Sequence, residues 1–292
     1  MAKILIACIH YPVASGRFIA RAFARLGHEV KTIGPYTGKS IWGIEVEEKY
    51  AWQPDWIIGE DGFIVGPESH SGWKPNLIIT ADSAWTFNNA PPPHVLWGVD
   101  NHVRDYNFGF EFDHYFLAHS WGTNMNRLNA TWLPPGYDLE AHTDLDLERS
   151  VDVGFIGYPY QNRMDIIDSM RAAGINLQAR IGLLWDEYNL AMNACRIALV
   201  QSIHGDLTTR FFENMAQGCC VLADKTVDAE KLGFKAGVDY WPFSGPADAV
   251  LQAKYLLDSG LWRQVAANGQ ALVAPHSWDA RCQVVLDTMG IK

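Results

Sequence analysis

The chain has 292 residues, 48% hydrophobic and 19% charged, a globular composition with room for two domains of ordinary size. A formal charge of −10, with no cluster of four or five Lys/Arg residues, disfavours a polyanion as the general partner. No apolar run approaches the roughly 18 residues that span a bilayer, and the opening MAKILIACIHYP lacks a secretory h-region and cleavage site, so a soluble cytoplasmic protein is expected.

Residues 3–9, KILIACI, form a short apolar run that suits a buried parallel strand. A loop, HYPVASG, leads into a helical stretch at 17–26, then Gly27 as a stop and a second strand, HEVKTIG. This is the opening of a Rossmann-like βαβ unit, but its loop has Gly16 alone and no GxGxxG, which disfavours NAD or FAD. Further strand-like runs follow at 56–59, 76–80, 94–100 and 114–120. The segment 133–150, LPPGYDLEAHTDLDLERS, has turn signals and charge but little periodicity, and reads as an interdomain linker.

A second α/β pattern begins with strand 151–157, then helix RMDIIDSMRAAG, strand INLQARIG, helix DEYNLAMNAC and strand RIALVQS. Helices near 246–258 and 260–273 and a last amphipathic helix, SWDARCQVVLDTMG, complete it. The expected division is an N-terminal domain at 1–140, a C-terminal domain at 151–275, and a final helix at 276–292 that returns to the first domain. In open α/β sheets ligands sit beyond the carboxyl ends of strands. The loops at 10–16, 100–102, 158–163 and 204–210 are therefore the ones to watch.

The five cysteines, Cys8, Cys195, Cys219, Cys220 and Cys282, form no CxxC pair, so reduced, mostly buried thiols are expected. Ten histidines without HExxH suggest no metal site. The DLD at 144–146 lies in the linker and follows no strand, unlike a metal-binding DxD motif.

The stretch HGDLTTRFFENMAQGCCVLAD, 204–224, carries the most chemistry. At about 100° per residue, Leu207, Phe211 and Met215 share an apolar stripe, with Phe212 and Ala216 beside it. Arg210, Glu213 and Gln217 then share a face directed away from the core. Two readings stand side by side. One is an exposed i,i+3 ion pair worth a few tenths of a kcal/mol, with Asp206 as helix N-cap. The other is an anion site, made of free amides and a positive helix end at 207–209, an arginine one turn in, and a carboxylate for sugar hydroxyls.

Five ordered stretches, GFIGYPYQNR, DEYNLAMNACRIALVQS, GDLTTRFFENMAQGCCVLAD, SGPADAVLQAKYLLD and APHSWDARCQVVLD, resemble the group 1 glycosyltransferases, in particular the CgeB-like, spore-maturation-type branch. In the first half HVLWGVDNH and FDHYFLAHS are similar to that family as well. The resemblance implies the GT-B fold, two Rossmann-like domains facing a cleft, with the C-terminal one holding a nucleotide-diphosphate sugar of UDP or GDP type. By position it implies that Glu213 accepts from the ribose, that Arg163 and Arg210 lie near the diphosphate, and that the Thr208 and Thr209 amides cap a phosphate. Asp206, Gly16 and Tyr158 complete the candidate donor-binding set. One departure is clear: many relatives carry a second glutamate eight positions before Glu213, where this chain has Gly205.

A hexosyltransferase needs its leaving diphosphate stabilised, which guanidiniums and helix amides can do without a metal or cofactor. If configuration inverts, a base must take the acceptor proton, and Asp100, His102 and His10 sit at strand ends. The acceptor is open among polysaccharide, protein, small molecule and modified DNA base. A sugar-nucleotide 2-epimerase of the same fold and a non-catalytic nucleotide-sugar-binding or assembly protein are the alternatives.

Overall fold

The computed structural model describes residues 1–38, 40, 41, 43–58, 64, 65, 73–82, 86 and 93–292. Gly59, the last residue of the strand expected at 56–59, lies outside them. The chain divides into two compact units, residues 1–135 with 278–292, and residues 136–277.

The first unit begins with β1 (Lys3–Ala7), α1 (Ser15–Arg25) and β2 (Glu29–Gly34). A small antiparallel hairpin follows, β3 (Ser40–Ile41) and β4 (Ile44–Glu45), then β5 (Trp56–Ile58) and β6 (Ile64–Val65). Next come β7 (Leu77–Ala81), β8 (His94–Gly98), β9 (His114–Leu117) and β10 (Ala130–Trp132). The sheet order is β10-β9-β8-β7-β1-β2-β5-β6, parallel throughout except where β6 runs antiparallel to β5. Every residue of β7 and β8 is buried, as expected for strands covered on both faces. In α1, Gly16, Ile19, Ala22 and Phe23 recur at helical spacing and form its buried face.

The second unit holds β11 (Val151–Ile156), α2 (Gln161–Ala172), β12 (Leu177–Arg180), α3 (Trp185–Asn193), β13 (Cys195–Val200) and α4 (Thr209–Ala216). It continues with β14 (Cys220–Asp224), α5 (Val227–Lys231), β15 (Trp241–Phe243), α6 (Gly245–Ser259) and α7 (Trp262–Val273). Its sheet is parallel in the order β12-β11-β13-β14-β15. The last helix, α8 (Trp278–Met289), packs in the first unit: Trp278, Cys282, Val285 and Leu286 join the cluster of Ile4, Ile19, Phe23 and Trp97. Asp279 there receives both Nε (2.9 Å) and Nη2 (2.6 Å) of Arg25. The return of the final helix to the first unit therefore follows the expectation.

The segment read as a linker is docked in the second unit by specific bonds. The Leu145 amide donates to Asn193 Oδ1 at 2.7 Å, and Arg149 donates to the carbonyls of Cys195 and Gln217, each at 2.7 Å. Asp144 accepts from the Asp146 amide and from Gln270 Nε2, both at 3.0 Å, so the first carboxylate of DLD is engaged in holding the segment. All five cysteines are free and buried.

Candidate functional site

In the second unit the strand order reverses between β11 and β13, which opens a crevice beyond their carboxyl ends. Arg163, in the first turn of α2, straps the two strand-end loops together. Its Nη1 donates to Tyr158 O and its Nη2 to Gln201 O, both at 3.0 Å, with Nε 3.3 Å from Gln201 O. It is 4% exposed, and its guanidinium lies 5.7 Å from the Phe155 ring centre and 5.1 Å from that of Tyr160. Burial first, then Arg210, lowers its pKa to about 10, so it remains a cation at neutral pH. Three of its five N–H groups are spent on carbonyls, and two remain to meet an anion.

Arg210, in the first turn of α4, brings a second guanidinium to within 5.7 Å of the same Phe155 ring. A Cβ at position 157 would overlap its Nη1, so any residue but glycine there would displace the guanidinium from this position. Its Nε is buried and has no hydrogen-bond partner among the described residues. Two cations held this close, with Asp206 as the nearby counter-charge, form a local field suited to a multiply charged anion.

The start of α4 corrects one expectation. Asp206 does not cap the helix: its Oδ1 accepts from the amides of Ile203 (3.2 Å) and His204 (3.3 Å), tightening the preceding loop. Gly205, at φ +79°, makes this turn possible. The N-cap is Thr208, with no side-chain cap, and its Oγ1 is buried without a partner among the described residues. The first-turn amides, Thr209 among them, thus face no capping side chain.

Glu213 corrects another. The face shared with Gln217 is covered: Glu213 is 8% exposed and Gln217 fully buried, because α3 and residues 142–143 pack over it. Tyr188 Oη lies 3.1 Å from Glu213 Oε2 and His142 Nε2 3.8 Å from Oε1. Asn189 ties Thr143 to Gln217 alongside. No Arg210–Glu213 ion pair forms among the described residues, so the surface-pair reading falls.

Beside the crevice lies a pocket of about 510 Å³ lined by Asn162, Gln201, Asp224, Lys225, Ser244 and Gly245, among others. These are ends of β13, β14 and β15 and the first turn of α2 and α6. Gln201 Oε1 there is buried and without a partner among the described residues. Asp224 is held by the Ser202 amide (2.9 Å) and hydroxyl (2.5 Å). Tyr158 and Tyr160, in the loop that follows β11, are both exposed, their rings 4.8 Å apart.

In the first unit the order reverses between β1 and β7. His10 lies there fully buried, with Nδ1 3.0 Å from Cys8 O and its ring 4.1 Å from Trp52. Burial lowers its pKa to about 4. A carbonyl only accepts, so the proton sits on Nδ1, and a ring enclosed in this way is a structural histidine rather than a base that meets substrate. Asp100 is paired with Arg104 at 3.5 Å, and His102 packs edge-on to His119 at 4.4 Å.

The group that sequence reasoning missed at this reversal is Asp82, the first residue after β7. Tyr106 donates to its Oδ1 at 2.8 Å and itself accepts from the Asp100 amide at 3.0 Å. Burial foremost, and then Asp100, raises the Asp82 carboxyl from 3.8 to about 6. Its φ of +38° is unusual for a non-glycine residue and places the side chain at the strand end. Gly16 is reassigned: it is buried in α1, and a Cβ there would come 2.5 Å from Cys8 Sγ. It is the residue that lets α1 approach β1, which accounts for a lone glycine without any phosphate.

Among the described residues no group of three or more His, Cys, Asp or Glu is arranged to hold a metal, and no helix is long and apolar enough to cross a membrane. Residues 143–287, just under half of the chain, match the model of the family described as "Glycosyl transferase-like". No curated protein matches the chain by sequence. Solved structures do match in fold. An alpha-glucosyltransferase in complex with UDP and mismatched DNA has TM-score 0.69 at 12% identity, covering 99% of this chain and 100% of that one. HepE of Anabaena, in complex with UDP and glucose, has TM-score 0.64 at 14% identity, covering 99% and 100%. Sucrose-phosphate synthase of Thermosynechococcus elongatus has TM-score 0.64 at 12% identity, covering 98% of each chain. The fold is thus the GT-B type, two Rossmann-like α/β domains.

Proposed function

We propose that the chain, with a glycosyl transferase-like second unit on a GT-B fold, is a glycosyltransferase that takes a hexosyl group from a nucleotide-diphosphate sugar. The observation that carries the reading is the pair of guanidiniums, Arg163 and Arg210, gathered on Phe155 ahead of an uncapped helix start at the strand reversal. In this reading both arginines and the Thr208 and Thr209 amides take the diphosphate, stabilising the leaving group as charge develops on it without a metal. Glu213 accepts from the ribose, and the 510 Å³ pocket takes the base, with the exposed Tyr158 available to stack on it. UDP is the favoured carrier, because the similar structures are complexes with UDP.

On the acceptor side Asp82 is favoured over Asp100, His102 and His10, since a carboxyl near pH 6 is matched to proton transfer at neutral pH. The net charge of −10 favours a sugar, protein or small-molecule hydroxyl over a polyanion. Calorimetric titration with UDP and GDP tests the donor site: Arg210→Ala is expected to weaken binding about tenfold or more, and unchanged affinity would remove the arginine pair from it.

One observation favours binding without turnover. Gly205 replaces the first glutamate of relatives, and Asp206 is turned back to the 203 and 204 amides and does not substitute for it. Release of free sugar or transfer above background across a panel of nucleotide sugars decides against that alternative, and product formation from donor alone would indicate an epimerase.

A further inference from the structure

The carboxylate of Glu213 is gripped on one side only. Tyr188, on α3, lies 25 residues away in sequence, yet its phenol oxygen is 3.1 Å from Oε2 and equally 3.1 Å from Asn214 Oδ1. The phenol has one proton, and of the two acceptors the charged oxygen is the stronger. Asn214 can then complete the contact with its amide turned over. Burial, with Glu213 second, raises the Tyr188 pKa well above its ordinary value, so the phenol stays a donor throughout the working pH range.

Oε1 is different. His142 Nε2 lies 3.8 Å from it, beyond hydrogen-bond distance. His142 is itself fixed, because its Nδ1 accepts from the Asp138 amide at 3.0 Å, which leaves the ring proton of the neutral imidazole on Nε2. No donor among the described residues lies within hydrogen-bond distance of Oε1. Oε1 is therefore the oxygen left to an incoming donor.

Resting on the reading that Glu213 meets the ribose of the donor, we propose that Tyr188 is its positioning residue: the phenol pins Oε2 and so presents Oε1 to a ribose hydroxyl. The division of labour follows from chain flexibility. A glutamate has three rotatable side-chain bonds, and one strong donor fixed to a buried helix removes most of that freedom before the ligand arrives. Tyr188 is well suited to this, with its ring set edge-on to His142 at 5.8 Å and the neighbouring Asn189 and Asn193 bonded to residues 143 and 145. The ligand class that follows is a ribonucleotide carrier, distinguished from its deoxy counterpart by one hydroxyl.

The test is calorimetric titration of the full chain with UDP and 2′-deoxy-UDP, in wild type, Tyr188→Phe, Glu213→Ala and the double variant, each checked for folding by thermal melting. Phenylalanine keeps the buried ring and removes only the hydroxyl. Wild type is expected to prefer the ribose form, Tyr188→Phe to lose about tenfold in UDP affinity with 2′-deoxy-UDP nearly unchanged, and Tyr188→Phe to change nothing further in the Glu213→Ala background. Equal losses for both nucleotides, or a loss that persists without Glu213, would show a merely structural tyrosine and overturn the proposal. Should Tyr188→Phe melt too early to titrate, Tyr188→Met, which likewise lacks the hydroxyl, replaces it in both backgrounds with the same expected and overturning results. Absence of any nucleotide binding by wild type is a separate result and overturns the donor reading beneath it.

Discussion

Asp82, half-buried, and Arg163, buried, are the charged groups at the two strand reversals, and only one of them was legible beforehand. Arg163 stands six residues after a strand-end glycine in a family-like pattern, whereas Asp82 is an ordinary aspartate in TADSAW. A polar residue directly after an apolar run was the available signal, but the strand order that makes it matter is long-range information. Between its ordinary 3.8 and about 6, the native Asp82 holds a proton that the unfolded chain has released, so its contribution to stability falls as pH rises through that window. His10 and His94, both lowered to about 4 by burial, push the other way between about 4 and 6.5. The informative quantity is therefore a difference: Asp82→Asn is expected to gain stability relative to wild type as pH climbs from 4 to 6. Urea midpoints at pH 4.5 and pH 7 measure it, and a pH-independent difference between the two proteins would refute the shift. Tyr188 and His142 were equally illegible, since nothing local to YNLAM or EAHTD announces a partner at Glu213.

Elements were easier to read than their surroundings. The helix expected at 17–26 spans Ser15–Arg25, and the apolar runs at 76–80 and 94–100 became buried parallel strands, because hydrophobic periodicity is a local property. Short elements such as α5, β6 and β15 were not read, having five residues or fewer and no measurable period. Orientation failed at α4, where a polar face was taken to mean solvent and instead meets a buried network of Tyr188, Asn189 and His142. Close approach is the other property that a periodic pattern does not carry. Both Gly16 against Cys8 and Gly154 against Cys195 would place a Cβ 2.5 Å from sulfur. Gly16→Ala is expected to cost about 1–3 kcal/mol by overpacking, and Cys8→Ala to recover most of it; additive losses in the double variant, read from denaturation midpoints, would refute the contact. Asp206→Ala, by contrast, should leave the melting of α4 unchanged, as followed by amide hydrogen exchange, because the carboxylate caps the loop at 203–206 and not the helix.

At the scale of the molecule the two units differ in how they are closed. The second is one continuous segment with its own core, whereas the first takes α8 from the far end of the chain. Trp278, 1% exposed among Phe18 and Trp97, is the largest side chain that α8 contributes. Trp278→Ala is expected to cost about 3–5 kcal/mol and to lower the stability of the first unit while leaving that of the second. Fragments make the same point: residues 136–277 should unfold cooperatively alone, and 1–135 should do so only when 278–292 is supplied, with circular dichroism as the measure. A stable 1–135 fragment would show that α8 is dispensable. The discontinuity also sets an order of birth. A ribosome adding roughly 5–20 residues per second exposes the first unit early, then spends about seven to thirty seconds on the second before α8 emerges. Throughout that interval the apolar bed of α1 that receives Trp278 is uncovered, which makes the nascent amino-terminal half the stage at which a holding chaperone has most to protect.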